Sequence, residues 1–162
     1  GFLHREIVEA ALGAPVVVAD PTPANVALFS GVTCIAPNAG EAARASGIAI
    51  TDDDSLERAG RALLRTLGCR YVLITQGEHG MSLFGANGER FDVPAVARTV
   101  YDVSGAGDTV VAVLTLALAA KISAETATQL ANFAAGAVVE KLGTATATPR
   151  EIVELMEHDR DG

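Results

Sequence analysis

Tryptophan is absent from this 162-residue chain, and aromatic residues make up only 4% of it. This scarcity argues against clefts that bind a sugar or a nucleobase by stacking on aromatic rings. Basic residues are also few, because 12 Lys and Arg stand against 20 Asp and Glu, a net charge of −8. Binding a nucleic-acid backbone requires clustered positive charge, so we predict no nucleic-acid partner.

Cysteines and long apolar runs are scarce as well. Cys34 and Cys69 are the only cysteines, and neither belongs to a CxxC motif. We expect buried free thiols in a reducing, cytoplasmic compartment, with a disulfide as the minor alternative. The longest apolar run, at 110–120, is shorter than the ~20 residues of a membrane span and predicts a buried helix and no membrane partner. Since the chain begins at Gly1 rather than Met, we expect a fragment, a processed chain or a remnant of cloning.

Short apolar runs alternate with segments of helical pattern along the chain. Three runs are typical of strands buried on both faces of a parallel sheet: 16–20, 32–36 and 71–75. An Asn-Gly turn at 87–88 predicts a hairpin that joins strands at 81–84 and 90–93. Helical pattern or composition marks six further segments: 3–12, 39–46, 52–67, 108–121, 124–142 and a last helix from 149. We therefore predict one α/β domain over residues 1–162, with a mostly parallel sheet flanked by helices.

The most informative segment is Asp-Val-Ser-Gly-Ala-Gly-Asp at 102–108, between a predicted strand at 100–103 and an apolar helix. Glycines permit backbone conformations in which successive N–H groups point at one anion, and a helix N-terminus adds positive potential. Asp108 falls in the first turn of that helix, beside the anion. A carboxylate is useful there if it takes a proton from a hydroxyl that attacks phosphorus. The alternative is a tight turn in which Asp108 only caps the helix.

With the following Thr-Val-Val-Ala-Val-Leu, this segment resembles the C-terminal signature of the PfkB/ribokinase family of sugar kinases, Asp-x-[Thr/Ser]-Gly-Ala-Gly-Asp. The resemblance extends over about residues 16–152 and implies a ribokinase-like fold. It implies that Asp108 is the catalytic base. It also implies that the amides of Gly105, Ala106 and Gly107 form the anion hole for the transferred phosphoryl group.

Two further implications concern cations. Pro-Asn-Ala-Gly-Glu at 37–41 resembles the family's Asn-x-x-Glu motif, which implies that Asn38 and Glu41 organise Mg²⁺ through water and phosphate. From the residues alone, the alternative is a capping box at a helix start. Asp102, with Ser104, is the implied ligand of a monovalent cation such as K⁺, as in some relatives.

ATP contacts are implied by two other segments. Residues 75–80 resemble the family's strand-end Gly-x-x-Gly turn near the nucleotide phosphates and ribose, and residues 131–137 resemble the helix that backs the adenine. The implied nucleotide contacts are Thr75, Gly77, Gly80, Asn132, Ala135 and Gly143. For the small residues of the helix, the alternative is close helix packing.

Within the family, segments 100–103 and 131–146 look most like the kinase portion of bacterial D-glycero-beta-D-manno-heptose 7-phosphate kinases, which are often fused to an adenylyltransferase in the pathway to ADP-heptose. One departure is Thr22, which stands where the family's Asp-Pro-Lys carries a phosphate-compatible Lys. The match is to the C-terminal half of the fold, without the N-terminal lid that supplies most sugar contacts. We therefore expect an exposed sheet edge that is covered by a homo-oligomer contact or by an N-terminal half.

The leading hypothesis is an ATP- and Mg²⁺-dependent kinase acting on a hydroxyl of a sugar or a sugar phosphate, with the isolated chain weakly active or inactive. The alternative is a non-catalytic nucleotide-binding or assembly module. A dinucleotide oxidoreductase is disfavoured, because the glycine motif lacks the G-x-G-x-x-G spacing and an acidic residue ~20 positions on.

Overall fold

A computed structural model describes residues 5–96 and 101–160 of the chain. Its internal contacts divide the chain into two compact units, which we call unit 1 and unit 2. Unit 1 comprises Gly1–Thr75 with Ser82–Phe91, and unit 2 comprises Gln76–Met81 with Asp92–Gly162. The assignment of one domain to residues 1–162 stays a prediction.

Five strands form one sheet in the order β1-β2-β3-β4-β5. They are β1 (Val18–Ala19), β2 (Cys34–Ile35), β3 (Tyr71–Thr75), β4 (Met81–Gly85) and β5 (Arg90–Val93). β1, β2 and β3 are parallel, with Val18 opposite Cys34 and Cys34 opposite Tyr71. β4 and β5 follow connections too short for a parallel crossover, so they run antiparallel to their predecessors. The predicted parallel sheet is therefore confirmed through β3, and the predicted hairpin follows it.

Unit 1 contains three helices, α1 (Arg5–Ala11), α2 (Ala39–Ser46) and α3 (Asp53–Leu67), and a 3₁₀ turn at Val26–Phe29. The Asp52 side chain caps α3 by accepting the Ser55 N–H, and α3 ends at Gly68 with a φ of 61°, a left-handed conformation that glycine adopts at low cost. The buried face of α3 packs with the apolar residues of β2 and β3 and with the ring of Phe84. This apolar cluster is the core of unit 1.

Both cysteines belong to the buried interior of unit 1 and are free thiols, as predicted. Burial, with the neighbouring Cys69 as a second cause, raises the pKa of the Cys34 thiol far above its usual range. Burial raises the pKa of the Cys69 thiol to about 11. Because the thiolate is the reactive form, neither cysteine is a nucleophile at neutral pH.

Replacing Gly60 by Ala should destabilise the core of unit 1. A Cβ atom at Gly60 would lie 2.5 Å from the Phe84 ring, and this ring is fully buried, so overpacking should cost about 1–3 kcal/mol of unfolding free energy. Urea unfolding of the G60A variant measures the loss. Thr66→Ala, at an exposed position of the same helix, should stay within about 0.5 kcal/mol of the wild type. Equal stability of both variants would contradict the close contact between α3 and Phe84.

Unit 2 contains α4 (Ala106–Ala119), α5 (Ala124–Val139) and α6 (Pro149–Arg160), together with a 3₁₀ turn at Gly77–His79. α5 packs against both α4 and α6. Small residues on α5 are buried throughout its second half, which permits close approach of its neighbours. Pro149 occupies the first position of α6, where its missing N–H costs nothing. No helix in the described parts of the chain is long and apolar enough to cross a bilayer.

Several predicted boundaries are wrong. Residues 101–103 form no strand, because the N–H groups of Tyr101 and Asp102 donate to the Val139 carbonyl at the end of α5 (2.8 and 3.3 Å) rather than to a strand. Val100, the first residue of that predicted strand, lies outside the described residues. α5 ends at Val139 rather than at 142, where the Lys141 N–H closes a tighter turn on the Val138 carbonyl (3.0 Å). β1 and β2 are also shorter than predicted. At the start of β1, the Val17 N–H bonds to the Thr33 hydroxyl (3.0 Å) instead of a ladder carbonyl.

Candidate functional site

The glycine motif forms the start of α4 in unit 2. Gly105 is the residue before the helix and has a φ of 83° and a ψ of −3°, a left-handed conformation that suits glycine. It carries no side chain that could occupy the N–H groups of the first turn, whereas Ser123 caps α5 through its hydroxyl (3.2 Å to the Thr126 N–H). The geometry therefore suits an anion at the N-terminus of α4.

Asp108 lies in the first turn of α4, where its side chain is exposed to solvent. The helix starts at Ala106, so Asp108 is its third residue and lies within one turn of the Gly105 backbone. Helical geometry leaves the N–H groups of this turn without carbonyl partners four residues back. A solvent-accessible carboxylate thus lies in the same turn as these donors, and its assignment as catalytic base stays a prediction.

One of the three N–H groups predicted to bind an anion already has a hydrogen-bond partner within the chain. The Ala106 N–H donates to the Val103 carbonyl over 3.3 Å, a long bond that tightens the entry into the helix. The Gly105 carbonyl accepts both the N–H and the hydroxyl of Thr109, at 3.0 and 2.9 Å. These bonds fix the peptide planes of the loop. The assignment of Gly105, Ala106 and Gly107 to an anion hole stays a prediction.

Asp102 connects the start of α4 with the loop after α5. Its Oδ1 accepts the Ser104 N–H at 2.9 Å, and its Oδ2 accepts the Gly143 N–H at 3.2 Å. Hydrogen bonds from Ser104, and then the one from the Gly143 backbone, hold the pKa of Asp102 below its usual range. The carboxylate that the motif assigned to a monovalent cation is thus shared between two backbone donors, one of them 41 residues away.

The loop after Gly143 is attached to α6 by a charged cluster. The Lys141 ammonium donates to the Thr146 carbonyl (2.7 Å) and pairs with the Glu151 carboxylate (2.6 Å). Glu151 also accepts the N–H and the hydroxyl of Thr148 at 2.7 and 2.8 Å. The bond from Lys141, followed by those from Thr148, lowers the pKa of Glu151 to about 2. This cluster holds the residues that follow the Asp102–Gly143 contact.

Acid should loosen this attachment of α6. The pKa of Glu151 falls from 4.5 to about 2 on folding, so its stabilising contribution is complete above pH 4.5 and disappears as the pH falls towards 2. Chemical unfolding at several pH values in that range should show a weaker loss of stability for Glu151→Gln than for the wild type. Glu154→Gln, which removes an exposed pair with Arg150, is the matched control and should follow the wild-type curve. Identical curves for all three proteins would contradict the assignment.

Of the predicted nucleotide turn at 75–80, residues 76–80 belong to unit 2. Its 3₁₀ turn is closed by a bond from the Gly80 N–H to the Gly77 carbonyl (3.1 Å), and the Gln76 N–H donates to the Gly80 carbonyl (2.8 Å). Gly80 has a φ of 88° and a ψ of −134°, and a Cβ there would lie 2.0 Å from the Val93 carbonyl oxygen. Only glycine fits at this position. Gly77, with a φ of 59°, is exposed and has open space beside it.

Two predicted adenine-side residues lie on α5 and are buried. Asn132 donates its side-chain N–H to the Pro94 carbonyl at 2.7 Å. Pro94 directly follows the carbonyl against which Gly80 packs, so the 76–80 turn and α5 hold the same short segment, 93–95. Ala135 is 9% exposed within the packed face of α5. Ala135 therefore fits the alternative of small-residue packing, whereas the Asn132 side chain is engaged by the Pro94 carbonyl, and the contact of either residue with ATP stays a prediction.

The remaining predicted residues lie in unit 1. Asn38 and Glu41 form a complete capping box at the start of α2: Asn38 Oδ1 accepts the Glu41 N–H (2.9 Å), and Glu41 Oε2 accepts the Asn38 N–H (3.0 Å). Thr75 ends β3, donates its N–H to the Pro37 carbonyl (3.1 Å) and pairs with Asn38 across a parallel bridge. The structure thus brings Thr75 and Asn38 together at the carboxyl end of the parallel strands.

Within residues 5–96 and 101–160, no cluster of three or more His, Cys, Asp or Glu side chains comes together that could hold a metal ion. The chemistry of Asn38 and Glu41 nevertheless suits Mg²⁺, because both supply oxygen donors and Mg²⁺ keeps several of its waters. A carboxylate that accepts one N–H retains further acceptor positions. The capping box and hydrated-metal binding are therefore compatible at these two residues.

Comparison with known proteins decides the family. The pattern of the family described as pfkB family carbohydrate kinase matches residues 8–151. The chain belongs to this family. The bifunctional protein HldE of Desulfatibacillum aliphaticivorans is 52% identical over 135 residues, and the HldE of Citrifermentans bemidjiense is 50% identical over 147 residues. These matches cover 83% and 91% of this chain but 28% and 30% of the relatives.

Solved structures confirm the ribokinase-like fold that the sequence predicted. Ribokinase from Arabidopsis thaliana, complexed with ribose and ATP, superposes with a TM-score of 0.84 at 24% identity, over 94% of this chain and 51% of that protein. Phosphofructokinase-2 from Escherichia coli, in complex with substrates and products, gives 0.84 at 17% identity, over 97% and 53%. This PfkB family chain therefore spans about half the length of its structural neighbours and under a third of the HldE proteins above.

Two residues at the site, Val139 and Pro94, were missed by sequence reasoning. Val139 was assigned to the interior of a helix, yet its carbonyl accepts the Tyr101 and Asp102 N–H groups. Pro94 carried no signal for its bond with Asn132, which is 38 residues away. Both contacts use backbone carbonyls, which every residue type supplies, so no side-chain pattern could have revealed them.

Proposed function

We propose that this chain carries the nucleotide-binding and catalytic part of an ATP-dependent carbohydrate kinase, which transfers a phosphoryl group to a hydroxyl of a sugar or a sugar phosphate. The observation that carries the proposal is the start of α4, where Gly105 adopts a left-handed conformation and Asp108 is exposed in the first turn. Membership of the PfkB family supports the reaction class.

Asp108 would act as general base. Its exposed carboxylate accepts the proton of the acceptor hydroxyl as the oxygen attacks the terminal phosphorus, while the bond from that phosphorus to the bridging oxygen breaks. The N–H groups from Gly105 to Gly107, at the positive end of α4, stabilise the charge on the transferred group. Because these donors are backbone groups held in place by the loop and the helix, they need little reorganisation during the transfer.

The side-chain oxygens of Asn38 and Glu41 suit Mg²⁺, and they would hold the ion through its bound water molecules. When bound, the ion neutralises phosphate charge. The capping box fixes both side chains at the start of α2, so they are ordered before any metal binds. This preorganisation supports a binding role alongside the capping role.

Heptose 7-phosphate is the proposed acceptor. The resemblance of segments 100–103 and 131–146 to heptose 7-phosphate kinases supports it, as does the 43–52% identity to HldE proteins. Thr22 supplies no positive charge for the sugar phosphate, so we propose that this charge comes from residues outside the matched segment. β1 is the outermost strand at one end of the described sheet, and we propose that its edge is covered by an N-terminal half or by a second copy.

A coupled assay of ADP release tests the function. The protein is assayed alone and as a chimaera in which this chain replaces the matched segment of the Geobacter sulfurreducens HldE, to which it is 50% identical. A panel of sugars and sugar phosphates serves as acceptors. We expect turnover in the chimaera with heptose 7-phosphate above the other acceptors.

The alternative function, a nucleotide-binding or assembly module without turnover, makes a different prediction in the same assay. ATP would bind to the chain and to the chimaera, as measured by calorimetry, but no acceptor would release ADP. Turnover with a different sugar would refute the heptose assignment and leave the kinase assignment standing. A chain and a chimaera that neither bind ATP nor release ADP would refute both functions.

A further inference from the structure

The Asp102 carboxylate lies between the loop at the start of α4 and the loop after α5. Its two oxygens accept one backbone N–H from each loop, from Ser104 and from Gly143. Both loops belong to unit 2, and both carry residues assigned to the nucleotide. The carboxylate therefore sets the spacing between them.

Two further observations also connect the segment around Asp102 with the end of α5 and the loop after it. The Tyr101 and Asp102 N–H groups donate to the Val139 carbonyl, which anchors the backbone of Asp102 on the last turn of α5. A Cβ added at Gly105 would lie 3.5 Å from the Thr144 methyl group, so the two loops also approach each other closely beside the carboxylate. Asp102 is thus held by its backbone on one side and uses both side-chain oxygens on the other.

Placing a carboxylate next to an anion site opposes anion binding, so Asp102 needs a compensating role. Its two hydrogen bonds are charge-assisted and stronger than those of a neutral acceptor. A neutral amide has one acceptor oxygen and would present its N–H₂ group to one of the two donors. Only an ionised carboxylate satisfies the Ser104 and Gly143 N–H groups together.

We propose that Asp102 is a positioning residue whose carboxylate holds the Gly143 loop against the loop at 104–107, so that one ATP molecule can contact both. The inference rests on the proposed function for the identity of the ligand. It assigns Asp102 no contact with the phosphoryl group and no proton transfer. ATP should depend on the link because it engages both loops at once, whereas a smaller ligand that engages one loop should not.

Amide hydrogen exchange of the wild-type chain tests the link without any substitution. Gly143 is exposed, so its amide would exchange at a rate near that of a free peptide unless Asp102 binds it. We expect exchange at Gly143 to be slowed about tenfold or more. Exchange at the free-peptide rate would overturn the proposal.

Binding measurements on Asp102→Asn test the consequence. We expect the affinity for ATP to fall about tenfold or more, the scale of one lost charge-assisted hydrogen bond, with the affinity for adenosine changed less than twofold. Asp52→Asn is the matched control, because Asp52 also accepts a local N–H, that of Ser55, in a helix cap of unit 1. It should leave both affinities unchanged. Equal losses for ATP and adenosine in Asp102→Asn would indicate general damage and overturn a positioning role.

A comparison of K⁺ with tetramethylammonium at constant ionic strength separates this role from cation binding by Asp102. Positioning predicts the same Gly143 protection in both salts. Loss of that protection on adding K⁺ would make Asp102 a cation ligand and overturn the link. If the wild type binds no ATP while Gly143 stays protected, the proposed function fails and the link between the two loops stands.

Discussion

Replacing Asp108 by Asn should reduce the rate of phosphoryl transfer in the chimaera by about 10²–10⁴-fold, the usual contribution of a positioned general base. The amide has nearly the same shape as the carboxylate but cannot accept the hydroxyl proton. Asp108 is exposed and sits in a helix that does not depend on it for a core contact, so the fold should be preserved. Steady-state kinetics of ADP release measures kcat, and calorimetry measures ATP affinity.

ATP affinity should change little in Asp108→Asn, because the backbone donors at the start of α4 remain. The matched control is Asp54→Asn, an exposed aspartate in the first turn of α3 in unit 1, and it should retain full activity. An Asp108→Asn variant that keeps more than a few per cent of the wild-type rate would show that Asp108 is not the base. The kinase proposal would then need another proton acceptor.

Replacing Gly80 by Ala should have the largest effect on stability. Its backbone, with a φ of 88° and a ψ of −134°, lies near a region that is almost confined to glycine. The added Cβ would lie 2.0 Å from the Val93 carbonyl oxygen and 2.7 Å from the Ala95 nitrogen, both of them backbone atoms that cannot rotate away. We expect a loss of about 3 kcal/mol or more, measured by chemical unfolding.

Gly77→Ala separates the clash from the cost of the positive φ. Gly77 belongs to the same turn and has a φ of 59°, but nothing lies within 4 Å of an added Cβ. Its substitution should therefore cost only about 1–2 kcal/mol, the penalty of a left-handed conformation. If Gly80→Ala is no more destabilising than Gly77→Ala, the close approach of segment 93–95 to the turn is wrong.

Local signals were sufficient to predict most elements. Asp52 and Gly68 flank a strongly amphipathic segment, and they are the residues that cap α3 at its start and its end. Both caps bond to residues three or four positions away, so they depend on local sequence only. The Asn-Gly pair at 87–88 likewise predicts the β4–β5 hairpin, because a tight turn depends on its own backbone angles. Such features are encoded within a few residues, so they can be read from the sequence.

Contacts between distant segments could not be predicted in this way. The assignment of residues 101–103 to a strand is wrong because their N–H groups find the Val139 carbonyl instead of a neighbouring strand. The bond between Asp102 and Gly143 joins residues that are 41 positions apart. At the predicted metal motif, Asn38 and Glu41 were proposed either to cap a helix or to organise Mg²⁺, and the capping bonds are present while the metal role stays a prediction.

The two backbone attachments of α5 have a consequence for how this chain tolerates change in length. Asn132 holds Pro94, and Val139 holds Tyr101, and these two helical residues lie two turns, or about 10 Å, apart. One residue inserted between them would rotate the far end of the helix by about 100°. Either the Asn132 amide would then move away from the Pro94 carbonyl, or the Val139 carbonyl would move away from the Tyr101 N–H. The two attachments therefore fix the number of residues between Asn132 and Val139.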